Sequence, residues 1–377
     1  MTPIDRRLSL LISMNGCLAS EGRGTSGGDQ VVFKFVQFSG LRPDLLLPSS
    51  AASFVPDAGR IFETRRNNSL TLAAILWLYV IRLVEAARHA WRNRVVYDVA
   101  ISGTPFAIDI IPLWLWKARR KGAIVYHLNP PRRAVSLSTL IRFNLSAFEQ
   151  WIAMRMLKRT ADFLIAGNDL TREELRTLMP GIPIFVLPAG FDASAIDAVP
   201  DTPKDPNLAC FVGRMVSQKG VLDLVTVMET LSRTKPQLRL VMVGKGHEQH
   251  IVAAEIERRG LTNVELTGFL QEREKYALLK RASWFFFPSY EEGWGIALAE
   301  ALYCECRAIC YELPHYRSIF NDYPAYAKVG DVQDFLSVFE KSGAPAPSQK
   351  DFLRQYDDET IVRQLTEHLS EVAGQKT

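Results

Sequence analysis

The sequence predicts an α/β protein made of two doubly wound, Rossmann-like domains with parallel sheets. Its 377 residues are enough for two domains of ordinary size. Apolar strand-like runs alternate with amphipathic helix-like stretches, a pattern that favours parallel sheets with helices on both faces. The alternation breaks once, at 192–207, where three prolines and several charges replace the apolar runs. We therefore expect domains at 1–195 and 196–377 that face each other across a cleft, with the last helix packing back on the first domain.

Short apolar runs between polar segments predict the strands of the first half: 8–14, 44–48, 97–102, 123–128, 163–166 and 184–188. Longer stretches with helical spacing predict its helices: 29–38, 70–94, 107–120, 137–160 and 170–178. The first apolar run is followed by polar and glycine-rich residues without a cleavage site, so it predicts a strand and not a secretory signal. The longest apolar run, 70–81, is shorter than the roughly 20 residues that span a bilayer, so we expect no transmembrane segment.

The second half repeats the same alternation. Its predicted strands are 208–213, 238–243, 263–267, 284–288 and 308–312. Its predicted helices are 220–233, 247–259, 271–281, 295–304 and 331–341, with one or two more at 351–371. Ligands of doubly wound folds bind at the carboxyl ends of the strands, so the loops that follow these strands are the candidate functional segments.

Charge is concentrated in one part of the chain. Residues 60–160 contain 17 Lys and Arg against 5 Asp and Glu, and five of the seven tryptophans, namely Trp77, Trp91, Trp114, Trp116 and Trp151. Cations interleaved with tryptophan suit an anionic membrane surface, and the alternative is a solvated basic face over a tryptophan-rich core. No nucleic-acid motif accompanies the charge. The five scattered cysteines predict neither a disulfide framework nor a zinc site, which favours a reducing cytoplasm. Together with the basic, tryptophan-rich region, this predicts a cytoplasmic protein at the inner face of the cytoplasmic membrane.

Two loops of the second half carry glycines and cations. Gly213 follows a strand and permits a tight turn, and Arg214 and Lys219 lie in the loop that enters the next helix. A planar guanidinium, a point charge and a helix N-terminus together suit a pyrophosphate, although two solvated loop cations would give the same pattern. The segment 243–246 is also glycine-rich, but it lacks the spacing of a phosphate-binding Walker loop.

The segment 288–300 has the most specific pattern, since a strand, a glycine-rich turn and a helix start follow one another. Its turn offers the backbone amides of Gly293, Trp294, Gly295 and Ile296. Two carboxylates, Glu292 and Glu300, bracket these amides. Eight helical residues span about 12 Å, whereas the carboxyls of a hydrolytic pair lie roughly 5–9.5 Å apart. The spacing therefore favours two ligand-positioning carboxylates over a glycosidase dyad.

In their order and spacing, these motifs resemble retaining GT-B glycosyltransferases of the GT4 type, the glycosyl transferases group 1. The resemblance rests on the segments 213–220, 244–246, 268–270 and 288–300. It covers about 208–300 well and the first half more loosely. It implies the GT-B fold and a hexosyltransferase of polysaccharide or glycoconjugate synthesis. That enzyme would move a sugar from a nucleotide-diphosphate sugar to a glycan or lipid-linked acceptor, without a metal or other cofactor.

The resemblance also implies roles for individual residues. Arg214, Lys219 and Gly28 would hold the donor diphosphate. Glu292 and the amides of Gly293, Trp294, Gly295 and Ile296 would hold the donor sugar, and Glu300 would bind the ribose. Gly268, Phe269 and Leu270 would lie against the base. His127 and Glu292 would act in catalysis, and Gly27, Asp29 and Asn168 would lie on the acceptor side, with a helix-capping role equally open for Asp29.

Three positions depart from the family pattern. Glu305 and Arg307 stand where relatives often have Gly and Pro, and Ala189 stands where Asn is usual. Two alternatives stay open. One is a nucleotide-sugar 2-epimerase, which shares the two-domain architecture. The other, for which these departures leave room, is a degenerate partner subunit that binds a nucleotide sugar without transferring it. The nucleotide base, the donor sugar, the acceptor and the oligomeric state are not specified by the sequence.

Overall fold

A computed structural model of the protein describes residues 8–17, 27–66, 72–128, 137–343 and 348–374. The chain divides into two compact units. Unit 1 contains the described residues up to Ala189 and those from Asp358 onward, and unit 2 extends from Gly190 to Asp357. The sequence suggested a boundary after residue 195. In the structure, the proline-rich stretch that was expected to be a linker contains a short helix of unit 2 and the start of a strand.

Unit 1 is built on a parallel sheet. The strands are β1 (Leu10–Ser13), β2 (Asp44–Pro48), β3 (Ile61–Thr64), β4 (Tyr97–Ser102), β5 (Ala118–Val125), β6 (Phe163–Ala166) and β7 (Ile184–Val186). Among the described residues they form a seven-stranded sheet in the order β3-β2-β1-β4-β5-β6-β7. The order reverses direction beside β1, and such a switch point is where doubly wound sheets bind ligands.

The helices of unit 1 lie between these strands. They are α1 (Gly27–Phe38), α2 (Leu72–Arg92), α3 (Ala107–Leu115), α4 (Leu137–Thr160), α5 (Asp169–Leu178) and the C-terminal α14 (Asp358–Gly374). Helix α14 returns to unit 1 and packs against α1, β4 and β5. Helix α3 lies between α2 and α4 and packs against both. None of the helices, as far as their residues are described, is long and apolar enough to cross a membrane.

Unit 2 has a second parallel sheet. Its strands are β8 (Asp205–Val212), β9 (Arg239–Val243), β10 (Val264–Gly268), β11 (Ala282–Phe287), β12 (Arg307–Tyr311) and β13 (Ala325–Ala327), in the order β10-β9-β8-β11-β12-β13. Its helices are α6 (Ala193–Asp197), α7 (Val221–Thr234), α8 (Gln249–Arg258), α9 (Glu272–Arg281), α10 (Ile296–Tyr303), α11 (Tyr316–Phe320), α12 (Val332–Lys341) and α13 (Lys350–Leu353). The prediction of two parallel α/β sheets is confirmed.

The structure differs from the predicted elements at the sheet edges and around residue 118. The edge strands β3 and β13 were missed because each has four residues or fewer and only one fully buried side chain. The expected helix 107–120 ends at Leu115, and β5 already begins at Ala118. The sequence pattern places the basic residues 119 and 120 at the end of that helix. Pairing of Arg120 with Val99 of β4 instead extends the strand through them.

Candidate functional site

Three glycines allow the loops after β8, β9 and β11 to pack directly against one another. A Cβ atom on Gly244 would lie 1.9 Å from the carbonyl oxygen of Gly213, and one on Gly246 would lie 2.2 Å from that of Met215. A Cβ atom on Gly220 would lie 2.0 Å from the carbonyl oxygen of Pro288. Any larger residue would push these loops apart. The glycines therefore bring the candidate residues of three strands to one edge of the sheet.

Backbone and side-chain bonds hold these loops in register. Met215 N donates to Lys245 O at 3.2 Å, and Tyr290 N donates to Gln218 O at 2.8 Å. The buried carboxylate of Glu248 accepts a hydrogen bond from Ser217 N, which lies in the turn that precedes Lys219. Glu248 could not be predicted from a local pattern, because its role depends on a partner 31 residues away.

Lys219 and Glu292 form an ion pair at this junction. Lys219 Nζ lies 2.5 Å from Glu292 Oε1, and the two side chains are only 14% and 13% exposed. Ser289 Oγ donates to the same oxygen at 2.9 Å, and Lys219 Nζ also donates to Glu291 O at 3.4 Å. The sequence suggested a phosphate role for the lysine and a sugar role for the glutamate. The structure brings the two groups into direct contact.

Two further charged groups lie close to this pair. Arg214 is exposed in the loop after β8, as expected for a group that meets a ligand. Burial, together with a smaller effect of the Glu292 charge, raises the pKa of Glu291 to about 7 against the opposing charges of Lys219 and Arg214. Glu291 could not be identified from the sequence, because its pKa depends on burial that a linear pattern does not show. The site thus contains a carboxyl that titrates near neutral pH.

The turn before α10 buries its aromatic side chain and begins the helix at a glycine. Gly295 caps α10 with φ of +106°, and a side chain there would meet the ring of Tyr316. The Trp294 side chain is buried and packs against Phe320 and Tyr356. Trp294 can therefore offer a ligand only its backbone, whereas the N–H groups of the first turn of α10, which starts at Ile296, have no intrahelical acceptor.

Glu300 is buried in α10 and bound by two residues of α9. Lys275 Nζ lies 2.7 Å from Glu300 Oε1, and Tyr276 OH donates to the same oxygen at 3.2 Å. Burial and the charge of Glu300 raise the pKa of Tyr276 well above its usual value, so the hydroxyl keeps its proton. Glu292 and Glu300 therefore have different cationic partners, and neither Lys275 nor Tyr276 was distinguished in the sequence from ordinary residues of an amphipathic helix.

The end of β10 provides an exposed aromatic ring. Gly268 has φ of +71°, and its carbonyl oxygen accepts a 2.7 Å bond from Gly244 N. Phe269 follows with 47% of its surface exposed, and Leu270 is half-buried. An exposed ring at the carboxyl end of a strand is a suitable platform for a planar base.

In unit 1, the expected residues lie after β5 and β6 and at the start of α1. His127 is half-buried after β5, and its carbonyl oxygen accepts a 3.0 Å bond from Gln150 Nε2. Asn168 caps α5, since its Oδ1 accepts a 2.8 Å bond from Thr171 N. Gly27 and Gly28 begin α1, and the buried Asp29 lies inside its first turn rather than at the capping position that was considered for it.

A buried polar cluster beside β1 was missed by the sequence analysis. Arg82 is fully buried in α2, and its NH1 donates to Asn15 O at 2.8 Å and to Cys17 O at 3.3 Å. Asp109, also fully buried, accepts from Gly16 N at 2.8 Å and from Thr104 Oγ1. Burial raises the pKa of Asp109 to about 7. Arg82 and Asp109 thus hold the backbone that follows β1.

The second unit is similar to a known protein family. Residues 192–341, about two fifths of the chain, match the model of the glycosyl transferases group 1 family. Glycogen synthase of Mycobacterium tuberculosis is 31% identical over 159 residues, which cover 41% of this chain and 37% of the synthase. The O-antigen chain mannosyltransferase C of Escherichia coli is 35% identical over 96 residues, which cover 25% of this chain and 24% of that enzyme. The chain thus matches well under half the length of these curated relatives.

Solved structures match over nearly the whole chain. Anabaena Alr3699/HepE, in complex with UDP and glucose, has a TM-score of 0.70 at 16% identity and covers 96% of this chain and 99% of its own. The fold is GT-B. Sucrose-phosphate synthase from Thermosynechococcus elongatus agrees, with a TM-score of 0.71 at 14% identity and coverage of 98% and 96%. The GT-B fold predicted from the motifs is confirmed, and the group 1 match supports a sugar-transfer role.

Proposed function

We propose that this GT-B protein is a retaining hexosyltransferase of the GT4 type. It would move a sugar from a nucleotide-diphosphate sugar to a hydroxyl of a glycan or lipid-linked acceptor in cell-surface polysaccharide synthesis, at the cytoplasmic face of the membrane. The observation that carries the proposal is the ion pair of Lys219 with Glu292, held where three glycine loops meet in the unit that matches the group 1 family.

Lys219 of the ion pair would serve the diphosphate of the donor, and Glu292 would serve its sugar. A diphosphate that approaches Lys219 and the exposed Arg214 would attract the ammonium away from Glu292, since a phosphate offers more negative charge than one carboxylate. The released Glu292 oxygens would then accept from sugar hydroxyls beside the first-turn amides of α10. Two cations and a helix N-terminus neutralise the leaving diphosphate, so the proposed reaction needs no metal or other cofactor.

The nucleoside half of the donor would use the other end of the same sheet edge. Glu300 is held by Lys275 and Tyr276 through one oxygen, and a carboxylate oriented in this way suits the two hydroxyls of a ribose. Phe269 offers its exposed ring to the base, flanked by Gly268 and Leu270. UDP is present in structures of Anabaena Alr3699/HepE, which has the same fold, and this supports a nucleotide ligand here.

The proposed chemistry is attack of an acceptor hydroxyl on the anomeric carbon. The bond from that carbon to the diphosphate oxygen breaks, and the departing phosphate oxygen takes the proton of the acceptor. His127 would bind the donor sugar from unit 1, Gly28 would contact the diphosphate, and Gly27, Asp29 and Asn168 would lie on the acceptor side. Because the new bond forms on the face that the diphosphate leaves, the configuration of the sugar is retained.

Calorimetric titration with UDP, GDP and ADP tests the donor site. One of these nucleotides should bind, and Arg214→Ala should weaken it about tenfold to a hundredfold, because a charged hydrogen bond contributes about 1.5–3 kcal/mol. Arg233→Ala is the matched control, since that arginine is 78% exposed on α7. Equal effects of the two substitutions, or no binding of any nucleotide, would contradict the donor site.

Transfer is tested with the bound nucleotide's sugars and a panel of glycan and lipid-linked acceptors. NMR of the product should show the anomeric configuration of the donor, and chelation of divalent metals should leave the rate unchanged. An inverted product rules out retention. Isomerised donor formed without acceptor would indicate the 2-epimerase, and nucleotide binding without any transfer would indicate the partner subunit.

A further inference from the structure

Helix α2 buries one charged side chain and exposes several large apolar ones. Its inward positions include Arg82, which is fully buried, beside Leu78 and Ala86. Its outward positions carry large apolar side chains: Leu76 (47% exposed), Trp77 (67%), Val80 (51%), Val84 (45%) and Trp91 (86%). A surface helix of a soluble domain normally has the opposite arrangement. The outward side of α2 is therefore built for contact with something other than water.

Helix α4 has an exposed stripe of the same kind. Ile141, Phe148 and Trp151 are 40%, 59% and 51% exposed and lie at helical spacing on one side. The rings of Phe148 and Trp151 stack at 5.8 Å, and the Arg155 guanidinium lies 4.1 Å from the Trp151 ring centre. The exposed Lys158 continues the stripe. The stripe thus changes from apolar to cationic along the helix.

Helix α3 joins the two stripes into one surface. It packs between α2 and α4 and ends on two exposed residues, Trp114 (61%) and Leu115 (48%). The exposed Lys117 and Arg119 follow at once. We call the outward sides of these three helices, with Trp77, Trp91, Trp114 and Trp151, the tryptophan face. Large apolar groups spread over three adjacent helices exceed the scattered exposure that is normal for a soluble monomer.

The charge of the tryptophan face has one sign. The described parts of α2, α3 and α4 contain three carboxylates, and all of them are turned inward or bound. Glu85 accepts from Arg65 N, Glu149 accepts from Ile108 N, and Asp109 is buried. The exposed charges of α2 and α4 are cationic, as in Arg88, Arg92, Arg155, Lys158 and Arg159. The face is therefore complementary to an anionic partner.

We infer that the tryptophan face docks on an anionic lipid surface. Tryptophan rings are suited to headgroup depth, where one edge is apolar and the other meets water, and arginine and lysine beside them reach lipid phosphates. The apolar stripes suit the acyl region of such a surface, and the exposed charges of α2 and α4 are cations that complement its anionic headgroups. This inference deepens the proposed function by placing unit 1 against the membrane that would carry a lipid-linked acceptor. Only the lipid-linked acceptor in this inference depends on the proposed function.

Sedimentation with vesicles tests the inference on the full chain. Binding to vesicles of phosphatidylcholine with phosphatidylglycerol should exceed binding to phosphatidylcholine alone, and salt should weaken it. Arg92→Ala and Lys158→Ala should each lower the partition coefficient about fivefold, because one cation near an anionic surface contributes about 1 kcal/mol. Arg233→Ala, on α7 of unit 2, should leave it unchanged.

Vesicles with brominated lipids test which residues enter the bilayer. Bromine quenches tryptophan only at short range, and four of the seven tryptophans are on the tryptophan face while Trp116, Trp284 and Trp294 are buried. Quenching should therefore fall when Trp77 and Trp151 are changed to Phe. Trp77→Ser should weaken vesicle binding about tenfold through lost apolar burial, and Leu178→Ser, at 48% exposure on α5, is its control.

These experiments distinguish a lipid surface from a second copy of the chain as the partner of the tryptophan face. They also distinguish a failure of the lipid inference from a failure of the proposed function. Vesicle binding that ignores anionic lipid, or that survives the tryptophan substitutions, overturns the inference. Self-association that Trp77→Ser abolishes, in a protein that does not bind vesicles, would assign the face to a second copy of the chain. Nucleotide binding is measured on the same variants and should be unchanged. If the wild-type protein binds no nucleotide, the proposed function is contradicted, whereas the inference that the tryptophan face docks on lipid is not.

Discussion

Glu305 occupies a backbone conformation that glycine adopts without strain. Helix α10 ends in a Schellman motif, in which Cys306 N donates to Ala301 O and Glu305 N donates to Leu302 O, both at 2.9 Å. The motif places Glu305 in the left-handed region with φ of 60°. Its side chain is exposed, so its replacement removes little packing. The turn expected of the family's glycine is thus formed here by a glutamate.

Glu305→Gly should stabilise the protein. A left-handed conformation costs a residue with a Cβ atom about 1–2 kcal/mol, and the greater freedom of glycine in the unfolded chain offsets about 0.4–1 kcal/mol of the gain. Relief of the backbone strain alone should therefore raise the free energy of unfolding by about 1 kcal/mol. For a domain of the size of unit 2 this raises Tm by about 2–4 °C.

Glu305→Ala is the necessary control. Both substitutions remove a negative charge from a helix C-terminus, which is itself stabilising by about 0.3–1 kcal/mol. Only the glycine variant also relieves the backbone strain. Calorimetry and urea titration of the wild type and the two variants should give Glu305→Gly a free energy of unfolding about 1 kcal/mol higher than that of Glu305→Ala. Equal stability of the two variants would refute the argument from strain.

Three further substitutions test other parts of the structure. Glu300→Ala should lower nucleotide affinity about tenfold to a hundredfold in a binding titration, because it removes a charged hydrogen-bond acceptor; unchanged affinity would refute the ribose role. Lys204→Met should cost about 3 kcal/mol in urea unfolding, since Lys204 Nζ donates to Leu279 O, Ala282 O and Cys304 O at 3.2, 2.8 and 2.6 Å; Lys235→Met, on an exposed lysine, is the control. Asp109→Asn should reduce the gain in stability on acidification. The folded pKa of Asp109, about 7, lies above its ordinary value of 3.8, so the folded state binds more protons between these values and the free energy of unfolding rises as pH falls from 7 towards 4. Parallel pH profiles for wild type and Asp109→Asn would contradict the buried, protonated carboxyl.

The second departure from the family pattern has a local partner. The Arg307 guanidinium lies 3.8 Å from the centre of the Trp284 ring, and its NH1 donates to Gly343 O at 3.0 Å. These contacts involve β11 and the segment after α12, and they lie outside the group formed by Lys219, Glu292 and Glu300. The unusual residues 305 and 307 therefore affect the turn that follows α10 and leave the candidate donor residues in place.

The central strands of unit 2 could be predicted because most of their residues are buried. Such strands appear as continuous apolar runs, and β8, β9 and β11 were located within a few residues. The edge strands β3 and β13 could not be predicted, since an edge strand needs few apolar residues and depends on a neighbour to pair with. The start of β5 was missed for the same reason, because the pairing of Arg120 with β4 is invisible in a local pattern.

The glycine loops, cations and carboxylates could be located along the chain without a structure, because backbone conformation and strand periodicity are local properties. Which charges meet depends on the fold. It paired Lys219 with Glu292 and Lys275 with Glu300, and it buried Arg82 while exposing Trp77 on the same helix. The physical reason is that burial and ion pairing depend on residues far apart in the chain, and both act on the free energy of a charge more strongly than its immediate neighbours do.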